Sequence, residues 1–116
     1  MNRIDTILVN EKSNIDRIFI YMLDDSFVAF GRSAFYVALF CPQLNVFQGE
    51  SDMAGSYLYI RIPSKWVRWL TEKCSTLVDD ECIRIIPPLS LSRQWYYFEE
   101  WQQQQLNKLG SSAEHQ

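Results

Sequence analysis

The sequence has one histidine in 116 residues, and this residue, His115, stands next to the last position. Catalytic Ser–His and Cys–His pairs need an imidazole, and many zinc sites use one as a ligand. The last residues of a domain are usually poorly ordered, so His115 is a poor candidate for any of these roles. We therefore expect no catalytic centre or metal site built on histidine.

Cysteine is also scarce. The three residues Cys41, Cys74 and Cys82 form an odd number, and no Cys-x-x-Cys spacing suggests a metal site. Each lies in an apolar pattern, which predicts buried free thiols in a reducing compartment.

No apolar run approaches the roughly 20 residues that a membrane-spanning helix requires. The first residues, MNRIDTILVNEKSN, are interrupted by charge every few positions, so we expect no signal peptide. These features predict a cytoplasmic protein that does not contact membranes. The formal net charge is −3. This charge disfavours strong non-specific binding to nucleic acid, which depends on neutralisation of phosphates by Lys and Arg.

The sequence is rich in apolar residues, at 47%, and in aromatic residues, at 15%. This composition and length predict one globular domain with its own core. We expect a loosely held lead-in at residues 1–14, with a short strand at 7–9. A single domain at 15–109 and a disordered tail at 110–116 would follow.

Runs of β-branched and aromatic residues, and helical periodicity, predict the elements of the domain. Strands are predicted at 17–23, 26–30, 44–48, 57–63 and 82–86, a loop at 49–56, and helices at 33–41, 64–74 and 92–109. Asp24 and Asp25 favour the turn of a hairpin, and Ser33 and Ser64 are predicted helix N-caps. The predicted fold is α/β, a small mixed sheet of four to five strands with two to three packed helices.

The junction Gly31-Arg32-Ser33 lies between a predicted strand and a predicted helix. A helix N-terminus with a nearby arginine attracts anions, but a lone glycine before a helix is most often only a bend, which we favour. The helix that follows is apolar on all sides, which predicts cover on two of them. The sheet would cover one side, and the C-terminal helix or a partner protein the other.

Two acidic groups are candidate metal ligands. Asp24 with Asp25, and the run at 79–81, have oxygen ligands that suit hard cations. Neither has the glycine-punctuated spacing of a known cation loop, so a turn and a solvated loop are the favoured interpretations. Because no nucleophile–base pair can be assembled either, we expect a protein that is not an enzyme and needs no cofactor.

Three segments carry a resemblance. The segment IFIYMLDDSFVAFGRSA, residues 18–34, is similar to the start of the N-terminal domain of MutS-type mismatch-repair proteins. The segments RIPSKWVRWLTEKC and ECIRIIPP resemble later parts of that domain, so the likeness spans about residues 18–88. The matching positions are Tyr21, Asp25, Phe27, Phe30, Ala34, Ile62, Pro63 and Val67. The resemblance implies a mixed sheet with packed helices.

The function that this resemblance implies is an accessory one. The MutS family reads a mismatch with a Phe-x-Glu motif, but Ser26 and Val28 occupy those positions here. Serine has no ring to insert into a base stack, and valine has no acceptor for a base. The resemblance therefore does not imply mismatch recognition. Small proteins of this kind are also similar to products encoded beside bacterial reverse transcriptases, which implies an accessory role with nucleic acid or its enzymes.

Two candidate surfaces follow from the sequence. Basic and aromatic residues around the second helix predict binding of DNA or RNA by Arg61, Lys65, Arg68 and Trp69. Aromatic residues in the first and last helices predict a partner interface at Tyr36, Tyr96 and Tyr97. The predicted function is a non-catalytic module associated with nucleic acid, or with a reverse transcriptase or similar enzyme. The alternative is a protein-interaction module, including a homodimer, that does not contact nucleic acid.

Overall fold

The computed structural model describes residues 3–79 and 82–114. For residues 111–114 it describes the backbone but not the side chains. Within these residues the chain forms six strands, five α-helices and one 3₁₀ turn. The helices are α1 (Arg3–Lys12), α2 (Gly31–Phe40), α3 (Ser64–Lys73), α4 (Leu89–Ser92) and α5 (Phe98–Glu114), with the 3₁₀ turn at Trp95–Tyr97. The strands are β1 (Ile18–Leu23), β2 (Ser26–Phe30), β3 (Phe47–Ser51), β4 (Gly55–Ile62), β5 (Ser75–Val78) and β6 (Cys82–Ile86).

All the described strands lie in one sheet, in the order β3-β4-β2-β1-β6-β5, and every neighbouring pair is antiparallel. Consecutive strands form three hairpins, each followed by a helix. The pairs β2–β4 and β1–β6 join the hairpins side by side. The prediction of combined helices and strands is confirmed. The predicted mixed sheet of four to five strands is wrong in both count and strand direction.

One face of the sheet forms the main core. Strand alternation directs aliphatic side chains to this face, where α2, α3 and α5 cover them. The buried sheet residues on this face are Ile18, Ile20, Ala29, Ile60, Ile62 and Ile85. The helix α2 is covered on its other side by α5, since the Phe35 ring lies 5.9 Å from the Phe98 ring and 5.4 Å from the Trp101 indole. Cover of α2 by the sheet and the C-terminal helix is thereby confirmed.

The opposite face of the sheet is covered in part by α1. Ile7 and Leu8 of this helix pack against Tyr21, Val28 and Phe30. The predicted strand at residues 7–9 is therefore wrong, and the segment packs on the sheet instead of forming a loose lead-in. Ile4, Ile7, Leu8 and Glu11 have helical spacing and form the inner side of α1.

Several element boundaries also differ from the predicted ones. The strand β5 was not predicted, since it has only four residues and follows α3 directly. The strand β3 runs to Ser51, into the predicted loop. The helix predicted at 92–109 is wrong at both ends: α4 ends at Ser92, the 3₁₀ turn follows, and α5 begins at Phe98 and continues to Glu114. His115 lies outside the described residues.

The β1–β2 hairpin is confirmed. Leu23 pairs with Ser26, which leaves Asp24 and Asp25 as a two-residue loop. Their φ angles are 49° and 64°. Two successive positive φ angles are the signature of the type I′ turn, whose twist matches that of the flanking strands.

A buried carboxylate connects α1 to the beginning of α2. The carboxylate of Glu11 accepts hydrogen bonds from the Ser33 backbone N–H at 2.9 Å and from the Ser33 hydroxyl at 2.7 Å. The Asn14 amide donates a third at 3.1 Å. Glu11, Asn14 and Ser33 are all buried. We call these three residues the Glu11 cluster.

The Glu11 cluster replaces the predicted N-cap at Ser33. The N-cap position of α2 is Phe30, whose side chain has no hydrogen-bond acceptor, and Ser33 lies two residues inside the helix. Its hydroxyl accepts instead from the backbone N–H of Phe19 in β1, at 2.9 Å. Ser64 is likewise the first residue of α3, with Pro63 at the N-cap position. Both predicted serine caps are wrong.

Burial raises the pKa of Glu11 to about 7. The hydrogen bonds from Ser33 and Asn14 lower this pKa, but burial has the larger effect. A raised carboxyl pKa means that the folded protein holds this proton more tightly than the unfolded chain. The contribution of Glu11 to stability is therefore fully present below pH 4.5 and is lost as the pH rises through 7.

We expect the stability of the wild type relative to Glu11→Gln to fall by about 3 kcal/mol between pH 4.5 and pH 7.5. Glutamine keeps an oxygen for the Ser33 N–H but does not titrate. Urea unfolding of both proteins across this range measures the difference, and other titrating groups cancel in the comparison. A difference that does not change with pH would contradict the raised pKa.

Candidate binding surfaces

The four residues predicted to bind nucleic acid lie on two separate surfaces. Arg61 in β4 pairs with Val28 and extends over the sheet face that carries α1, where its guanidinium lies 6.0 Å from the Phe47 ring centroid. Lys65 and Arg68 are exposed on α3, which packs on the other face of the sheet. The structure therefore does not assemble the predicted footprint as one surface.

Trp69 is mainly a packing residue. Its ring is half-buried and meets the Phe40 ring edge-on at 5.9 Å and the Trp66 ring at 5.7 Å. The Lys65 ammonium lies 5.9 Å from the Trp66 ring. The exposed side of α3 consequently offers basic side chains without a free aromatic platform.

Arg61 belongs to an aromatic surface that the sequence did not reveal. We call it the β3–β4 aromatic face, and it consists of Phe47, Tyr57, Tyr59 and Arg61. The rings of Phe47 and Tyr59 are stacked, with centroids 5.5 Å apart and planes 26° from parallel. Phe47 is 41% exposed. A shallow cleft of about 390 Å³, lined in part by Tyr57, Tyr59 and Arg61, adjoins the stack.

Strand alternation builds this face. In the β4 segment YLYIRI, Tyr57, Tyr59 and Arg61 lie on one side. On the other side Ile60 and Ile62 enter the main core, and Leu58 is also buried. Gly49 of β3 pairs with Tyr57, and a methyl group at this glycine would overlap the Tyr57 ring. The alternation is visible in the sequence, but the stacking of Phe47 on Tyr59 depends on the register of β3.

A second aromatic surface is the 3₁₀ turn, which we call the aromatic turn: Trp95, Tyr96 and Tyr97. Their exposed fractions are 49%, 58% and 45%. The Tyr96 and Tyr97 rings lie 4.4 Å apart, and the Trp95 indole meets Tyr96 edge-on at 6.0 Å. Tyr96 and Tyr97 are therefore accessible to a partner, and their role as an interface stays a prediction.

Arg32 holds the aromatic turn in place. Its Nη1 donates a hydrogen bond to the Trp95 carbonyl oxygen at 2.9 Å, and its guanidinium lies 4.5 Å from the Phe98 ring centroid. This arginine therefore connects the start of α2 to the turn before α5. The N-terminus of α2 is already occupied by the Glu11 carboxylate, which supports the interpretation of the Gly31-Arg32-Ser33 junction as a bend.

Tyr36 is not an interface residue. Its side chain is fully buried, and this burial raises the pKa of its hydroxyl. That hydroxyl donates a hydrogen bond to the Ile15 carbonyl oxygen at 2.5 Å and lies 3.5 Å from the Ser92 carbonyl oxygen. The prediction was wrong because α2 is apolar on all sides, so its sequence does not distinguish an outer tyrosine from an inner one. Tyr36 supports the segment that leads into the aromatic turn.

The thiols and acids have structural surroundings. Cys41 is buried as predicted, whereas Cys74 and Cys82 are half-buried, and all three are free. Burial raises the pKa of each thiol, which disfavours the nucleophilic thiolate. Asp79 accepts from the Cys82 backbone N–H at 2.9 Å and pairs with Arg84 at 3.0 Å.

Among the described residues, no three His, Cys, Asp or Glu side chains lie close enough to hold a metal ion. The other two acids of the run at 79–81 are outside the described residues. No helix in the described part of the chain is both long and apolar enough to cross a membrane.

Comparison with protein families, with curated proteins and with solved structures finds no match to this chain. The resemblance to the MutS N-terminal domain therefore remains a prediction.

Replacement of Arg32 by leucine should loosen the aromatic turn. The loss of a partly exposed charged hydrogen bond and of the contact with Phe98 costs about 1 kcal/mol, which corresponds to about fivefold faster local opening. Hydrogen–deuterium exchange of residues 89–97 measures this opening. Arg68→Leu, which removes an exposed arginine from α3, is the matched control and should leave the exchange of this segment unchanged. Equal exchange in both variants and the wild type would contradict the role of Arg32.

Proposed function

We propose that this chain is a non-catalytic binding module that holds single-stranded nucleic acid on the β3–β4 aromatic face. The observation that carries the proposal is the stacked Phe47–Tyr59 pair, which is partly exposed beside the Arg61 guanidinium. Every base has a π-face, so exposed rings on an antiparallel sheet are a platform for unpaired bases.

The charge distribution favours binding by stacking over binding by phosphate neutralisation. The protein carries a net charge of −3, and Arg61 is separated from the basic side chains of α3. A single phosphate contact to a single strand gives a slope of about −0.7 in the dependence of log K on log salt concentration. Stacking on two rings adds roughly 1–3 kcal/mol per base and is much less sensitive to salt.

The resemblance to the MutS N-terminal domain supports a role near nucleic acid but not mismatch recognition. Of the two positions aligned with the Phe-x-Glu motif, Val28 is buried and Ser26 lies beside the same cleft as Arg61. Neither supplies a wedge or a carboxylate. An accessory role beside a reverse transcriptase or another nucleic-acid enzyme in the cytoplasm, without a cofactor of its own, is part of the proposal.

The test is a fluorescence-anisotropy titration of labelled single-stranded DNA and RNA, with homoduplex and mismatched DNA as competitors. We expect saturable binding to single strands and a loss of roughly 1–3 kcal/mol in Phe47→Ala or Tyr59→Ala, about 5- to 150-fold in Kd. The salt slope should be near −0.7 and should vanish in Arg61→Gln.

Tyr96→Ala, which removes an exposed ring elsewhere, is the matched control and should bind as the wild type does. Lys65→Glu with Arg68→Glu separates the two surfaces, because it should weaken binding only if α3 contacts the phosphates. No binding at low salt, or unchanged binding in Phe47→Ala and Tyr59→Ala, would overturn the proposal. A preference for the mismatched duplex would contradict the conclusion drawn from Ser26 and Val28.

A second candidate function is docking of a partner protein on the aromatic turn. Leu89 and Ile15 are also exposed, and the Ile15 and Ser92 carbonyl oxygens both lie near the Tyr36 hydroxyl. The aromatic turn therefore lies next to further apolar surface. Tyrosine and tryptophan are enriched in protein interfaces, and clustered exposed apolar side chains commonly mark them.

A photoreactive phenylalanine analogue at position 96 tests this second function in the cells that express the protein. We expect a crosslinked product of defined mass that disappears when Trp95→Ala is added. The same analogue at Met53, which is exposed in the β3–β4 turn, is the control and should give no such product. The same products from both positions would contradict docking on the aromatic turn.

A further inference from the structure

The strand β5 forms an unprotected edge of the sheet. It pairs only with β6 among the described strands and contains neither charge nor proline in its sequence STLV. Leu77 is 64% exposed and Val78 is 74% exposed. Edge strands usually carry charges, prolines or bulges that prevent pairing with another chain. Within the described residues, β5 has no charge, proline or bulge, and its shortness is its main protection.

The hydrogen bonds of the β5–β6 hairpin identify the backbone groups that face outward. The Asp79 backbone N–H donates to the Cys82 carbonyl oxygen at 3.1 Å, so these two residues are a hydrogen-bonded pair. Such pairs alternate along an antiparallel ladder, which makes Leu77 with Arg84 the next one. Val78 lies between these two pairs and Thr76 precedes Leu77, so both direct their N–H and C=O groups away from β6.

We infer that β5 pairs antiparallel with β5 of a second copy of this chain, about a two-fold axis at Leu77. Thr76 then lies opposite Val78 of the partner subunit, and Val78 lies opposite Thr76 of the partner subunit. Each is a hydrogen-bonded pair, so the two pairs contribute four backbone hydrogen bonds. The result is a continuous sheet across both copies.

Apolar side chains on one face of the sheet support a second copy as the occupant. Leu77 meets Leu77 of the partner subunit in a non-hydrogen-bonded pair, in which side chains approach most closely. Ile86 is exposed and pairs with Ser75, two residues from Leu77 on the same face. The strand itself carries no charge, so no like charges meet across this pairing. The strand is thus complementary to itself in this register.

Sedimentation velocity over a concentration series tests the self-association. We expect a monomer–dimer equilibrium in the wild type and a monomer in Val78→Pro, because proline removes an outward N–H and no bond to β6. Leu77→Lys should also be monomeric, since it places two like charges opposite each other. Circular dichroism establishes that each variant is folded, and Met53→Lys, at an exposed apolar residue beside the opposite edge strand β3, should still dimerise.

A cysteine at position 77 tests the register independently of these variants. Cα atoms of a non-hydrogen-bonded antiparallel pair are about 4.5 Å apart, a distance that a disulfide can bridge. Under mild oxidation, Leu77→Cys should therefore form a covalent dimer more rapidly than Val78→Cys or the wild type. A monomer at all concentrations, or equal crosslinking at positions 77 and 78, would overturn the proposed pairing.

Discussion

The carboxylate of Glu11 determines how this chain passes from strand to helix. The strand β2 ends at Phe30 and α2 begins at Gly31 with no intervening loop, an abrupt change that uses a φ of +54° at the glycine. A phenylalanine thereby occupies the N-cap position, and its side chain cannot accept a hydrogen bond from a backbone N–H of the first helical turn. Glu11 accepts it from a different helix. The bonds that it completes offset only part of the cost of burying the carboxylate, and the remainder is seen in the raised pKa of Glu11.

This interaction also fixes where α1 lies on the sheet. Because Glu11 must reach the start of α2, the preceding turns of α1 cross the middle of the sheet, over Tyr21 and Phe30. The helix reaches β3 at its end, where the Ser51 hydroxyl donates a hydrogen bond to Asp5, but it leaves Phe47 at the start of that strand exposed. The β3–β4 aromatic face exists for this reason, as its rings project from strands that α1 does not fully cover. The position of one buried acid and the exposure of a binding surface are therefore linked.

The sequence predicted local features well and relations between elements poorly. Alternation and breakers were sufficient for β1, β2 and their turn, and the uniformly apolar α2 was expected to be covered twice. The division of the basic residues was not predictable from a helical wheel, because Arg61 belongs to a strand and Lys65 to the next helix. Pro63 separates them. The chain leaves the sheet at this point, and α3 packs on the face opposite the Arg61 side chain. Glu11 was overlooked because a charged residue in a short amphipathic segment gives no sign of burial.

The arrangement of three successive hairpins has a consequence for how the molecule folds. In each hairpin the partners are neighbours in sequence, so little chain entropy is lost when they meet, and such hairpins form in microseconds. Only the pairs β2–β4 and β1–β6 require more distant segments to find each other. The second of these brings residues 18–21 beside residues 82–85 and has the greatest sequence separation in the sheet. Association of the third hairpin with the other two is therefore the step in which most of the contact order of this fold is acquired.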